Sequence, residues 1–326
     1  MIYSSHLNFW FCCELHRLQS CTNCTLPRLL RSRLTKSSIA LSIKIAGRSV
    51  FLALLLVLFS YPAFSWNSVG HELVAQIAYD QLTPKEKNFW KHRIEALRVA
   101  YPQENFILAS ILPDELRKHS VNAFSAWHFI DLPIFLGQRH FHYFINPQNV
   151  VWAINQSVQV EEAKYANSFE KAFFGSFLIH LVADAHQPLH CASLYSPHFP
   201  KGDRGGNLFI IKNYKTRNLH AYWDQGGGFL NKALIKNSMT LEVTAESLEK
   251  KYPKAYFAKR ATILNPKVWA HESHAIAEKE VYKLSEYSHP SQMYQKNTQE
   301  ITQEQIVLAG YRLGFLLHAI YITSGN

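Results

Sequence analysis

The chain has 326 residues, 48% of them hydrophobic and 13% aromatic, with a formal net charge of +10. That is ample material for a large core, and it excludes a disordered or low-complexity chain. The charge alone does not establish a nucleic-acid surface, because it is uneven: residues 1–65 hold seven Lys/Arg and one acid, Glu14, whereas the other 261 hold 27 basic and 23 acidic groups.

Residues 1–40 are long, basic and Cys-containing, and read either as an over-extended reading frame or as a leader without a structural part. Cys21-x-x-Cys24 has the spacing of a metal or redox pair, but with Cys12 and Cys13 it lies upstream of an export signal. That signal comprises Lys44 and Arg48, an apolar run from Val50 to Phe59, and small residues at Ala63 and Ser65 that match a signal-peptidase site. Cleavage after Ser65 makes Trp66 the mature N-terminus. It divides the chain into a leader and signal peptide, 1–65, and one domain, 66–326; a membrane anchor is the alternative. The expected location is periplasmic or extracellular, with no stable membrane association after cleavage. Cys191 is then the one cysteine of the mature chain, which excludes a disulfide framework.

Past Trp66, apolar residues at 73, 74, 77, 78 and 82 predict a first helix over 71–82. Thr83-Pro84-Lys-Glu86 supplies an N-cap, a proline suited to the first helical position and a capping-box Glu for a second, running to about Val99. A third helix, 105–114, is expected to end near Pro113, and the loop 124–133 follows. Residues 134–147 read as irregular, 149–167 as a helix and 169–187 as the next. The polar stretch 191–217 holds one short strand, 208–212. Residues 218–224 make a helical turn, and helices at 241–250, 267–285 and 303–321 fill the C-terminal third. No repeat or linker interrupts this order. The fold class is all-α, a single domain of multiple helices with a short β excursion near 205–215.

Residues 175–190, Gly-Ser-Phe-Leu-Ile-His-Leu-Val-Ala-Asp-Ala-His-Gln-Pro-Leu-His, are apolar on every side yet carry three histidines and an aspartate. His180 and Asp184 are four apart and share a helix face; Pro188 turns the chain and brings His190 back to the same spot. Buried ionisable groups are costly unless paired or bound to a metal. A His/Asp set at this spacing is what a zinc site with nitrogen and oxygen ligands requires, and a pair of satisfied core histidines is the plainer alternative. Comparable settings add the amino end of Trp66, His71, Asp114, His128, His220 and Asp224. Nine ligands exceed one tetrahedral zinc and suit three, with one carboxylate bridging two of them.

Several motifs now stand together: Trp66 with His71 five later, Leu-Pro-Asp114, Trp-His128-Phe-Ile-Asp131, His180-x₃-Asp184-x₅-His190, Gly-Gly-Asn207 and Asn-Leu-His220-x₂-Trp-Asp224. From Trp66 to the C-terminus the chain resembles the trinuclear-zinc single-strand nucleases and 3′-nucleotidases, the nuclease S-one and P-one type. The resemblance implies a cofactor of three Zn²⁺. The first zinc takes Asp114, His128, His180 and the bridging Asp184. Its neighbour takes the amino nitrogen and carbonyl of Trp66, His71 and Asp184, and the third takes His190, His220 and Asp224. It also implies that a hydroxide held between the paired zincs attacks phosphorus in line while the third zinc stabilises the leaving 3′-oxygen. Single-stranded DNA or RNA would give 5′-nucleotides, and 3′-nucleotides would give nucleosides. Asp114 either hydrogen-bonds the attacking water as a catalytic residue or serves as a ligand only. A free α-amine has a pKa of roughly 8 and can yield its proton to zinc, whereas an internal peptide nitrogen has no comparable lone pair. Signal cleavage is therefore a condition for a complete site.

Substrate contacts are less legible. Phe124, Phe129, Phe141 and Tyr143 are either platforms for splayed bases or core residues. Asn207 either binds substrate or shapes a turn, Lys201 and Arg204 either contact the phosphate backbone or solvate a loop, and Asp131 either orients His128 or caps a helix. His140 and His142 are either extra metal ligands or, the favoured reading, groups at the surface or just behind the ligands. The fungal enzymes carry disulfides that this mature chain lacks, and residues 132–142 do not match their polar loop. A bacterial zinc-dependent phospholipase C is the rival reading, sharing the helical fold and trinuclear site, but its last ligand pair is His-x₃-Glu where this chain has Asp224. An exported, non-catalytic zinc-binding protein is a third reading. A monomer is expected.

Overall fold

The computed structural model describes residues 66–324 apart from 103–104, 138–140, 214, 232 and 234–236. The expected leader and signal peptide, 1–65, lie outside the described residues. In chain order the helices are α1 (Ser68–Asp80), α2 (Pro84–Glu95), α3 (Leu112–Lys118), α4 (Val150–Glu162), α5 (Ser168–Asp184), α6 (Leu219–Asp224), α7 (Ser238–Lys251), α8 (Lys254–Phe257), α9 (Pro266–Lys279) and α10 (Gln292–Thr323). Two three-residue strands, β1 (Pro133–Phe135) and β2 (Ser193–Tyr195), pair in parallel with Pro133 opposite Ser193. The fold class is all-α, as the periodicity predicts.

Local chemistry sets the helix ends. Thr83 and Glu86 form the expected capping box of α2, and Asn167 with Glu170 forms another at the start of α5. Asn218 caps α6 by accepting from the Ala221 N–H at 2.7 Å. Pro113 does not end a helix. It sits in the first turn of α3, where a missing N–H costs nothing, and a 3₁₀ turn (Leu108–Ile111) replaces most of the helix expected over 105–114. The strand expected at 208–212 is also absent. There the amides go to separate partners, Ile211 N–H to the Arg217 carbonyl and Lys212 N–H to that of Ser288, leaving one bridge between Ile210 and Asn218. Helix α9 stops before the expected end at 285, and α10 begins eleven residues before position 303, capped by Ser291.

Helix α5 is the centre: every residue from Gly175 to Asp184 is buried. Helix α10 is long and apolar enough to cross a membrane, but 67% of its most apolar window is buried here against the other helices. It crosses α1 at close range, since a Cβ on Gly310 would stand 2.5 Å from Ile77 Cγ2. Two apolar clusters result. The larger joins α1, α2, α4, α5, α7 and α10, and the smaller gathers Leu189, Leu194, Phe209, Trp223 and Val281 around the strand pair and α6. His71, His180 and Asp184 stand on helices of the first cluster; His190, His220 and Asp224 stand on segments of the second.

Candidate metal centre

All nine residues singled out in the sequence are buried, and the ligand atoms of eight of them form three groups, two of which share His180. His71 with His180 and Asp184, Asp114 with His128 and His180, and His190 with His220 and Asp224 each lie within 4.8 Å of one another. Helix spacing makes two of the contacts. His180 Nε2 is 3.2 Å from Asp184 Oδ2, and His220 Nε2 is 3.4 Å from Asp224 Oδ2, each one turn apart. The 3₁₀ turn Pro188–His190 then folds His190 back, so that its Nδ1 comes within 3.5 Å of Asp184 Oδ1.

Asp184 is the hub. Its Oδ2 is 3.0 Å from His128 Nδ1 and 3.2 Å from His180 Nε2, while its Oδ1 faces His71 Nε2 at 3.6 Å. One oxygen on each side is the disposition of a bridging carboxylate. The ring of His71 stacks on that of His180, centroids 3.9 Å apart, so His180 borders both groups. Asp114 stands slightly outside, 4.0 Å from His128 Nδ1 and from His180 Nε2, and accepts from Arg117 Nη2 at 3.2 Å.

Backbone carbonyls fix three of the imidazoles. His180 Nδ1 donates to Ser110 O at 2.7 Å, His190 Nδ1 to His128 O at 2.7 Å and His220 Nδ1 to Gly205 O at 2.6 Å. Each bond commits the Nδ1 proton and leaves a lone pair at Nε2 pointing into the site, as a metal-ligating histidine requires. Gly205 has φ near +60°, and a Cβ there would sit 2.4 Å from Leu189 O, so glycine is needed to aim this carbonyl. Gln187 performs the matching service for a carboxylate, donating its amide to Asp224 Oδ1 at 2.6 Å. The sequence reading missed these supports, although Gly205 and Gln187 lie inside motifs it quoted.

The electrostatics call for cations. Burial, reinforced by the neighbouring His180, pushes the His71 pKa down to about 3, and burial lowers His128 and His190 as well. His180 is raised instead: burial opposes its charge, but Asp184 and Asp114 outweigh it. Asp224 is driven well above the carboxylate range, chiefly by burial, with the Gln187 bond offsetting part of the effect. Among the described residues His190 Nε2 has no hydrogen-bond partner, and His128 Nδ1 faces His180 Nε2 at 3.0 Å. Neutral imidazole nitrogens converging on buried carboxylates are a nitrogen and oxygen donor set suited to divalent zinc.

Trp66 is wholly buried at the start of the described chain, and the next amide, Asn67 N–H, donates to Asp224 O at 3.2 Å. Around the centre, Phe124 packs edge-on against Trp127, Phe173 and Phe177, a core role. Phe129 is half-buried and its carbonyl accepts from Val150 N–H, while Phe141 and Tyr143 gather with Phe135 and Tyr195 on the strand pair. Asn207 donates to the Arg204 carbonyl at 2.8 Å and so shapes its turn; Lys201 and Arg204 are exposed. Asp131 neither caps a helix nor bonds His128 among the described residues. It precedes β1, where burial and then the nearby Asp203 push its pKa up to about 6. His142 is exposed, and His140 lies outside the described residues.

A family model described as S1/P1 nuclease matches residues 66–322. The chain is 26% identical over 279 residues to the protein named Endonuclease 1 of Arabidopsis thaliana, covering 79% of this chain and 87% of that one. It is 30% identical over 179 residues to Endonuclease 4 of the same plant, covering 50% and 55% respectively.

Proposed function

The chain belongs to the S1/P1 nuclease family, hydrolases that act on phosphodiester bonds, and on that premise we propose that its centre holds three zinc ions. The proposed activity is hydrolysis of single-stranded DNA or RNA to 5′-nucleotides and of 3′-nucleotides to nucleosides. The observation that carries this reading is the set of three buried His/Asp groups beside one carboxylate, Asp184, whose Oδ2 faces His128 and His180 and whose Oδ1 faces His71 and His190. Asp114, His128 and His180 would hold one ion together with Asp184. His71, Asp184 and the amino end of Trp66 would hold the second, and His190, His220 and Asp224 the third. Bound zinc supplies Lewis acidity toward phosphoryl oxygens and acidifies water.

The remaining work falls to the chain itself. Ser110, His128 and Gly205 carbonyls hold three imidazoles in one tautomer, so no reorganisation is needed when substrate arrives. Asp114 is kept ionised by His180 and His128 against the cost of burial, and stands at the margin of the centre. Its carboxylate accepts a hydrogen bond from the attacking water and turns the oxygen lone pair toward phosphorus. Arg117, beside Asp114, holds that carboxylate in place.

Completion of the second ion's shell requires a free amine on Trp66, so the active protein is exported and processed after Ser65. The test is N-terminal sequencing and metal analysis of exported protein, followed by assays on single-stranded DNA, 3′-AMP and phosphatidylcholine. A mature start at Trp66, three zincs per chain and release of 5′-nucleotides are expected. Hydrolysis of phosphatidylcholine alone would replace this reading with the phospholipase C one.

A further inference from the structure

At the opposite end of α5 from the metal centre lies a cleft of about 660 Å³ between α2, the start of α5 and the end of α10. Its walls carry Lys85, Arg93 and Lys171 together with the half-buried rings of Phe89 and Tyr321. The rings meet edge to face with centroids 5.3 Å apart, and the Arg93 guanidinium lies 4.7 Å over Phe89. Beneath them the wholly buried Glu161 pairs with Arg93 at 3.0 Å, and Lys171 Nζ donates to the Glu161 carbonyl at 3.0 Å.

A structural salt bridge explains Arg93 and Glu161 but not the rest. Lys85 and Lys171 sit in or just beyond the first turns of α2 and α5, where the helix dipole favours acids over cations. Burial, and then the crowding Arg93, lower the Lys171 pKa. Burial pushes the one carboxylate beneath them up to about 7, so it neutralises them incompletely. Among the described residues Lys85 forms no ion pair. Fixed cations held too close together, flanked by aromatic faces and open to solvent, are the elements of a site for a phosphate joined to a base.

We propose that this cleft is a second, non-catalytic nucleotide site. Its occupant is a nucleoside phosphate, either one unit of a single strand whose scissile bond lies at the metal centre or the free 5′-nucleotide product. Lys171 is nine residues from His180 on the same helix, about 13 Å along its axis and roughly half a turn around it, so a single strand that joins the two places passes around α5 and not along it. The single-strand form of the proposal rests on the nuclease reading; the free-nucleotide form does not.

The test compares zinc-loaded wild type with Lys85→Gln and Lys85→Gln/Lys171→Met, whose unchanged melting is checked first. Lys85 is exposed, so the single variant keeps the test open if the double one misfolds. For a 12-mer of single-stranded DNA, KM is expected to rise roughly three- to tenfold, with the salt dependence shallower by roughly 0.7 in log–log slope per cation removed, while dinucleotide kinetics stay as in wild type. Calorimetry with 5′-AMP should show two sites in wild type and one in the double variant. Loss of the second 5′-AMP site with unchanged 12-mer kinetics would identify free nucleotide as the occupant. Unaltered 12-mer KM, salt slope and 5′-AMP stoichiometry overturn the proposal. If wild type cleaves no single strand but still loses a 5′-AMP site on substitution, the nuclease reading fails and the cleft stands.

Discussion

His180 and His186 are six residues apart and equally buried, yet the protein uses them in opposite ways. Six residues turn a helix by roughly 240°, which puts the two rings on different sides of the same segment. His180 commits Nδ1 to the Ser110 carbonyl and turns Nε2 toward Asp184 and His128. His186 commits Nδ1 to the Val182 carbonyl but accepts Arg312 Nη1 on Nε2 at 2.8 Å, and Arg312 is held in turn by Glu272. Burial and that guanidinium drive the His186 pKa well down, so it stays a neutral acceptor. Burial and histidine content are the same in both places. What separates a ligand from a structural histidine is whether the protein has already used the second nitrogen.

The largest effect expected from this contrast is at His180. His180→Ala should abolish hydrolysis, reduce bound zinc and lower the melting temperature by on the order of 10 °C, since a buried site loses its ion. Unchanged activity and melting would remove the distinction altogether. His186→Leu should do the reverse. It costs about 1–3 kcal/mol, because Arg312 loses a buried acceptor, while zinc content and activity per folded molecule remain. Metal analysis beside calorimetric unfolding reads both outcomes; zinc lost from the His186 variant would contradict the separation.

A smaller effect tests the carboxylate supports. Gln187 touches Asp224 and no proposed ion, so Gln187→Leu should weaken the third site about 10–100-fold, and excess zinc should restore the lost activity. Activity that stays low at saturating zinc would mean that Gln187 does more than hold Asp224.

The helical fold and the clustering of the candidate ligands could be read from sequence because each rests on a local signal. Thr83-Pro84-x-Glu86 fixes a helix start, and i, i+4 spacing puts His180 with Asp184 and His220 with Asp224 whatever surrounds them. What could not be read depends on long-range partners. The Ser110 carbonyl meets His180 seventy residues later, and Arg312 meets His186 across 126. Pairing of β1 with β2 likewise depends on where the two loops at the metal centre leave the core, not on any alternation in three-residue strands. The same holds for Asp131, whose neighbours Asp203 and Arg204 lie in a distant loop.

The remaining prediction lies at the far end of α5 and adds a third kind of buried charge to the comparison, an acid paired with one cation. Glu161 has an ordinary carboxylate pKa near 4.5 when unfolded, and burial raises it to about 7 in the fold, with Arg93 and then Lys171 limiting the rise. A raised carboxylate binds its proton more tightly when folded, so its contribution to stability is complete below about 4.5, declines as pH climbs, and is gone above about 7. Glu161→Gln keeps the neutral form at every pH. The stability of the variant relative to wild type should therefore rise by about 3 kcal/mol between pH 4 and 8, most of it in that window. Protonation of the clustered histidines at the other end also acts at low pH, but it affects both proteins alike and cancels in the difference, because the two places lie far apart on α5. Denaturant unfolding of both proteins across that pH range measures it. A difference that stays level would show that Arg93 holds Glu161 ionised throughout, and that the cleft above it is more nearly neutral than three cations suggest.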